Sequence, residues 1–178
     1  MIKLKNILLE SETRKLRVFD FDDTLVKSNS KVKLTKKNGD VFMLTPGEYA
    51  VYDKKEGDTF DYSEFDKLIE PREIKALTKV LRGFYQANGK RTITILTARG
   101  VTRPLQDYLR DIGIDRVNIV GVNSSDPQKK AEWIEGKIKL GYNDIFFIDD
   151  SQKNVDAIKK LKEKYPKLKW EIRLAKYR

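Results

Sequence analysis

The sequence predicts an α/β fold, a three-layer α/β/α sandwich around a doubly wound parallel sheet. From Arg72 onward, helical and strand-like patterns alternate along the chain, and such alternation is typical of parallel strands joined by right-handed crossovers with helices on both faces. A buried strand over 17–20 precedes this region, and we expect it at the centre of the sheet beside strand 144–149. The length of 178 residues suits one domain, with 28–71 inserted within it.

Each element after the first strand has a local signal. Apolar residues at helical spacing predict helices, and β-branched or apolar runs predict strands. Asp126 is a candidate N-cap, with Pro127 at the first helical position. The predicted helices cover 72–87, 102–112, 126–140 and 152–164, and the predicted strands cover 92–97, 117–122, 144–149 and 170–174.

The insertion begins with a predicted hairpin. Strand-like runs at 31–34 and 41–44 flank Asn38-Gly39, a turn signal in which both residues adopt positive φ. We expect this hairpin to form a small lid above the sheet. The remainder, 47–71, reads as loop with a short helix over 62–69. At the start of the chain, we interpret 1–10 as an amphipathic helix on the domain surface.

Composition restricts the chemistry. The chain has no histidine and no cysteine, which excludes Ser-His and Cys-His dyads, disulfides and thiolate zinc sites. Its 37 basic and 27 acidic residues give a net charge of +10, which favours polyanionic partners such as nucleic acid, although a merely basic soluble protein would show the same balance. No apolar run approaches the ~20 residues that span a bilayer. We expect a cytoplasmic protein without membrane association.

Acidic side chains, hydroxyl side chains and one arginine follow three of the predicted strands. They are Asp20, Asp22, Asp23 and Thr24 after the first strand, Thr97 and Arg99 after strand 92–97, and Asp149, Asp150 and Ser151 after strand 144–149. In a parallel sheet these positions share the carboxyl-end rim, where ligands bind. The alternative is that Asp150 or Ser151 simply caps the next helix.

Carboxylates gathered on that rim require a cation or protons. Two like charges at ~4 Å repel by about 4 kcal/mol at an effective dielectric near 20. Oxygen ligands without histidine or cysteine favour Mg²⁺ over zinc. Phosphate chemistry is the reaction class that commonly accompanies this ion.

The motifs resemble those of the haloacid dehalogenase superfamily. Val18-Phe-Asp20-Phe-Asp22-Asp23-Thr24-Leu25 is similar to its first motif, Ile95-Leu-Thr97 to its second, Lys129-Lys130 to its third, and Phe146-Phe-Ile-Asp149-Asp150 to its fourth. The resemblance covers the chain from about Val18 to the end. It implies a Mg²⁺-dependent phosphatase that forms an aspartyl-phosphate.

The resemblance also implies residue roles. Asp20 would attack phosphorus, and Asp22 would protonate the leaving group and then activate water. Mg²⁺ would be held by Asp20, the main-chain carbonyl of Asp22, Asp149 and Asp150. The residues expected to contact the phosphoryl group are Thr24, Thr97, Arg99 and Lys130, with Lys129 as the alternative lysine and a surface salt bridge as the alternative role of Arg99. We interpret Asn154 and Asp156, where many members carry a further metal or orienting group, as structural.

The expected substrate follows from the small lid and the positive charge. An open rim favours large substrates, and the layout is loosely similar to the phosphatase domains of polynucleotide kinases and nucleic-acid repair proteins. We therefore expect a 3′-phosphate end of RNA or DNA as the leading substrate. Two alternatives stay open. One is a nucleotide or small-metabolite phosphatase in which 47–71 forms a closed lid, and the other is a non-catalytic nucleic-acid-binding module.

Overall fold

The computed structural model describes residues 12–176. Ten strands and five α-helices follow one another in this part of the chain, with one 3₁₀ turn at Lys90–Thr92. The strands are β1 (Lys15–Phe19), β2 (Val26–Lys27), β3 (Val32–Thr35), β4 (Val41–Leu44), β5 (Thr59–Asp61), β6 (Arg72–Glu73), β7 (Ile93–Thr97), β8 (Asn118–Gly121), β9 (Asp144–Asp149) and β10 (Lys169–Leu174). The helices are α1 (Pro46–Val51), α2 (Lys75–Asn88), α3 (Arg103–Asp111), α4 (Pro127–Lys139) and α5 (Gln152–Lys164).

Five of the strands form the predicted parallel sheet, in the order β10-β9-β1-β7-β8. β1 lies in the centre and pairs in parallel with β9 on one side and β7 on the other. The chain therefore builds one half of the sheet through β7 and β8 and the other half through β9 and β10. The predicted parallel α/β fold and the central position of the first strand are confirmed.

Helices cover both faces of this sheet. Alternate residues of β1 point to opposite sides, so Phe19 packs with residues of α2 and α3, whereas Val18 packs with residues of α4 and α5. Full burial of a large apolar side chain contributes about 1.5–3 kcal/mol. Two such cores hold the central strand rigidly, and its carboxyl end is therefore a stable platform for a site.

The two ends of the insertion are held together by strand pairing, and the insertion has a small hydrophobic core of its own. β2 pairs antiparallel with β6, and Asn29 N donates to Ile69 O at 2.8 Å. Between them, β4, β3 and β5 form an antiparallel sheet in the order β4-β3-β5. Its core cluster consists of Val32, Tyr49 and Phe65 with partly buried neighbours. The β3–β4 hairpin is as predicted.

Details of the insertion differ from the predictions. Asn38 does not have the expected positive φ; among the two turn residues only Gly39 has it, at 91°. Residues 47–71 contain α1 and β5, and 62–69 is not a helix. The carbonyls of Phe65 and Lys67 accept hydrogen bonds from Arg99, so they are directed to another side chain rather than along a helix axis.

Within residues 12–176, every helix is too short or too polar to cross a lipid bilayer. The amphipathic helix expected over 1–10 lies outside the described residues.

Candidate metal and phosphate site

The carboxyl ends of β1, β7 and β9 bring the predicted residues to one rim. Asp20 directly follows β1, and its main-chain N donates to Ile148 O in β9 at 2.9 Å. Asp149 is the last residue of β9, and Thr97 is the last residue of β7. Because β1 lies between β7 and β9, the side chains of Asp20, Thr97 and Asp149 are attached at neighbouring positions along the same edge of the sheet.

A buried lysine joins the two aspartates. Lys130 Nζ lies 2.7 Å from Asp20 Oδ1 and 2.7 Å from Asp149 Oδ2. Lys130 belongs to the first turn of α4 and is 2% exposed. Lys129 instead points to the surface and pairs with Glu132 at 2.9 Å. Of the two candidate lysines, the structure brings Lys130 to the rim.

Three carboxylates are close enough to share one cation. Oxygens of Asp20, Asp149 and Asp150 all lie within 4.8 Å of one another. Burial raises the pKa of Asp20 well above its usual value, and Asp149 and Asp150 add to the effect, although Lys130 opposes it. Burial, Asp149 and Asp23 raise the pKa of Asp150 to about 7. Without a bound cation, the cluster therefore disfavours the ionisation of all three carboxylates together.

This donor set fits a hard divalent ion. All three side chains offer oxygen, which is the ligand atom that Mg²⁺ and Ca²⁺ take in proteins. A bound dication would offset both causes of these raised pKa values, the burial of the carboxylates and their mutual repulsion. Burial alone would lower the pKa of Lys130, but the charges of Asp149 and Asp20 outweigh burial and raise it, so the lysine remains a cation beside the metal position.

Asp149 is held in a fixed orientation by the start of α5. Asn154 Nδ2 donates to both carboxylate oxygens of Asp149, at 2.9 and 3.0 Å, and Ser151 N donates to Oδ1 at 2.9 Å. Asp149 itself is 0% exposed. The sequence interpretation gave Asn154 only a structural role and missed this contact. Asp156, two residues further along the same helix, is exposed and accepts from Gln152.

Two predicted threonines are buried around the cluster. Thr24 Oγ1 accepts from Asp150 N at 3.1 Å and lies 3.4 Å from Asp150 Oδ1. Thr97 Oγ1 accepts from Arg99 N at 3.2 Å. Thr24 therefore supports a carboxylate of the cluster, and Thr97 fixes the turn that follows β7. Their predicted contact with phosphate remains a prediction.

Asp22 lies beside the cluster and is paired with Arg99. Arg99 Nε and Nη2 donate to the two carboxylate oxygens of Asp22 at 2.8 and 2.6 Å. Arg99 is 0% exposed, so its salt bridge is a buried one rather than the surface pair considered from the sequence. In this arrangement the guanidinium contacts protein groups, and its expected contact with substrate phosphate stays a prediction.

A small cavity of about 30 Å³ lies over the carboxylates. One water molecule needs about 10–15 Å³ in this measure, so the cavity has room for roughly two. Its floor comes from the sheet rim and α4, and one wall comes from the insertion. The lining residues are Asp20, Asp22, Ala98, Lys130, Asp149, Asp150, Ser151 and Asn154 from the sheet side, and Pro46, Gly47, Tyr49, Ala50 and Phe65 from the insertion.

Comparisons with protein-family models, with curated proteins and with solved structures give no match for this chain.

Proposed function

We propose that the protein is a Mg²⁺-dependent phosphomonoester hydrolase that works through an aspartyl-phosphate on Asp20, as the motif resemblance to the haloacid dehalogenase superfamily implies. The supporting observation is the convergence of Asp20, Asp149 and Asp150 within 4.8 Å at a cavity that also contains Lys130. A buried cation beside a carboxylate nucleophile is suited to a dianionic phosphoryl group.

The residues of the chain have distinct parts in this reaction. Asp20, Asp149 and Asp150 would hold Mg²⁺, which would supply positive charge to the phosphoryl oxygens. Asp20 forms a bond to phosphorus as the bond between phosphorus and the ester oxygen breaks. Lys130, 2.7 Å from Asp20 Oδ1, compensates the negative charge that gathers around the reacting centre. Asn154 keeps Asp149 in place through two hydrogen bonds.

Asp22 is the candidate acid and base. It lines the same cavity as Asp20, and it is two residues further along the chain. In the first step Asp22, protonated on an oxygen released from Arg99, gives this proton to the departing alkoxide, and in the second step its carboxylate takes a proton from the water that attacks the acyl phosphate. Release of inorganic phosphate restores Asp20 as a free carboxylate.

Two substrate classes have support from different observations. The net charge of +10 favours a polynucleotide carrying a 3′-phosphate. The insertion wall over the cavity, with Pro46, Tyr49 and Phe65, favours a nucleotide or other small phosphate ester. Residues 28–71 contain seven lysines and nine acidic residues, a net charge of −2, so the positive charge lies elsewhere on the chain.

The first experiment measures hydrolysis of a chromogenic phosphate ester with and without Mg²⁺. We expect Mg²⁺-dependent turnover by the wild type, and loss of at least about 10⁴-fold in Asp20→Asn, the order of magnitude found when a covalent nucleophile is removed. Asp156→Asn on the exposed side of α5 is the matched control. A wild type that is inactive with every divalent metal would contradict the proposal and favour a nucleic-acid-binding module.

A second experiment separates the two substrate classes. It compares kcat/KM for a 3′-phosphorylated oligonucleotide, nucleoside monophosphates and sugar phosphates at several salt concentrations. If the polynucleotide is the substrate, its kcat/KM should be the highest and should fall steeply with salt because phosphate contacts release counterions. Highest activity on the small esters, with little salt dependence, would assign the second class.

A further inference from the structure

Arg99 makes an unusually complete set of contacts. A guanidinium has five N–H donors, and five acceptors face those of Arg99. Nε donates to Asp22 Oδ2 at 2.8 Å. Nη2 donates to Asp22 Oδ1 at 2.6 Å and to Ser28 Oγ at 3.2 Å. Nη1 donates to Lys67 O at 3.1 Å and to Phe65 O. The guanidinium also lies over the Phe65 ring, 4.2 Å from its centroid.

The acceptors of Arg99 belong to three different parts of the chain. Ser28 stands at the beginning of the insertion, and Phe65 and Lys67 stand near its end. Asp22 belongs to the loop after β1 and lines the cavity. One buried side chain, carried by the loop after β7, thus binds a carboxylate of the site and both ends of the insertion.

We infer that Arg99 is a positioning residue that couples the closed position of the insertion to the orientation of Asp22. With the insertion closed, Arg99 holds Asp22 at the cavity. When the segment around Phe65 and Lys67 moves away, Arg99 loses three of its contacts, and the orientation of Asp22 is no longer fixed. Such movement would widen the cavity of about 30 Å³ for an ester with a bulky alcohol.

The coupling makes a reciprocal prediction that does not depend on enzymatic activity. Amide hydrogen exchange reports on the insertion because Asp66 N, Lys67 N and Ile69 N are hydrogen-bonded. Arg99→Lys replaces the planar guanidinium and its five N–H donors by a single ammonium group, so several of these hydrogen bonds are lost. Amide exchange over 63–69 should then be about 10- to 100-fold faster, the range expected for lost hydrogen bonds to a charged group.

Asp22→Asn is the decisive variant. It replaces one acceptor oxygen facing Arg99 by an amide donor, and it should accelerate exchange over 63–69 as well, although the substitution lies in the loop after β1. Ser28→Ala, a milder change, should give a smaller increase in the same segment. Arg82→Lys is the control, since Arg82 in α2 binds Glu73 of β6 at 2.6 Å and Ile112 O, just after α3, at 2.7 Å. It should leave the exchange over 63–69 unchanged.

Unchanged exchange over 63–69 in Asp22→Asn and Ser28→Ala would overturn the coupling and leave Arg99 with a purely local structural role. Where catalysis is also measured, the inference rests on the proposed function and expects Arg99→Lys to lower kcat more than it raises KM. Accelerated exchange in all three variants of a protein that hydrolyses no phosphate ester would support the coupling while contradicting the proposed function.

Discussion

At the scale of single residues, the ammonium of Lys130 balances the charge of the site. It lies 2.7 Å from an oxygen of Asp20 and from an oxygen of Asp149, and all three side chains are buried. Removing one partner of a buried ion pair leaves an uncompensated charge, which is more costly than losing the attraction itself. The cluster therefore depends on this lysine whenever no metal is bound.

Lys130→Met should lower the free energy of unfolding in the absence of divalent metal by about 3–5 kcal/mol. Added Mg²⁺ should restore more stability to the variant than it adds to the wild type, because it supplies the missing positive charge. Urea denaturation with and without Mg²⁺ measures both effects. Lys129→Met, one residue away and exposed, is the control and should change stability by less than about 0.5 kcal/mol. Equal effects of the two substitutions would refute this electrostatic role.

Asn154 makes a separate prediction about the metal. Groups that orient a ligand of a metal ion typically contribute about 10- to 100-fold to affinity, so Asn154→Ala should weaken Mg²⁺ binding by that factor. Isothermal titration calorimetry measures the change. Asp156→Ala, on the exposed side of the same helix, should bind Mg²⁺ within about twofold of the wild type. An unaltered affinity in Asn154→Ala would show that Asp149 keeps its orientation without this amide.

The residues that sequence reasoning placed correctly share a feature. Asp20, Asp149 and Thr97 stand at strand ends, and the position of a strand in a parallel sheet determines where its end lies. Asn154 and Arg99 depend instead on side-chain direction in three dimensions. The position of Asn154, five residues after Asp149, is visible in the sequence. The sequence contains no signal that the Arg99 side chain points toward the insertion.

At the scale of elements, two glycines test how closely β8 packs against the loop after β7. A Cβ on Gly121 would lie 2.3 Å from Arg99 O, whereas a Cβ on Gly83 in α2 would have no neighbour within 4 Å. Gly121→Ala should cost about 1–3 kcal/mol of stability through overpacking. Gly83→Ala should instead add about 0.5–1 kcal/mol, since alanine restricts the unfolded chain. Thermal denaturation compares them, and a neutral Gly121→Ala would contradict the close packing.

The insertion was the element that the sequence predicted least well. A signal for α1 was present, since Thr45-Pro46-Gly47-Glu48 contains a capping box with proline at the first helical position, and Thr45 and Glu48 do form that box. The segment 62–69 begins with a helical turn in which Asp66 N donates to Tyr62 O. It cannot continue as a helix because its later carbonyls bind Arg99 and Ser30.

At the scale of the whole molecule, the parallel sheet was predictable because each of its elements carries its own periodic apolar pattern. β9 and α5 were predicted with their observed bounds, 144–149 and 152–164. The insertion lacks such periodicity, and its fold depends on contacts between segments distant in sequence. Those contacts include the Tyr49–Tyr62 hydroxyl pair at 3.0 Å and the pairing of β3 with β5.

The sheet also gives the molecule a predictable acid sensitivity. Asp144, at the start of β9, accepts from Arg17 in β1 at 2.8 Å and from Lys169 in β10 at 3.2 Å. Burial alone would raise the pKa of Asp144, but Arg17 and Lys169 outweigh it and lower this pKa. As pH is lowered, the Asp144 carboxyl is therefore protonated in the unfolded chain before it is protonated in the folded protein. The stabilisation that ionised Asp144 gives the fold is complete above the unfolded pKa of about 3.9, and it is lost as pH falls through the lower pKa of the folded state.

Asp144→Asn should accordingly be less stable than the wild type near pH 7, because Arg17 loses its charged partner, and the difference should shrink as pH falls below about 4. Urea unfolding at a series of pH values measures the gap, with Asp111→Asn on the surface as a control that shows little gap at any pH. A constant gap between pH 7 and pH 2 would contradict this role of Asp144.

The central claim is that Asp20 becomes covalently phosphorylated, and acid-quenched mass spectrometry tests it most directly. Asp22→Asn should slow breakdown of the acyl phosphate more than its formation, so this variant is mixed with Mg²⁺ and a chromogenic phosphate ester and quenched in acid. The account predicts one phosphoryl group on the peptide that contains Asp20. It predicts none when Mg²⁺ is omitted, and none in the double variant that carries Asp20→Asn as well as Asp22→Asn. Substrate turnover with no phosphorylated peptide, or with the phosphoryl group on another residue, would contradict it.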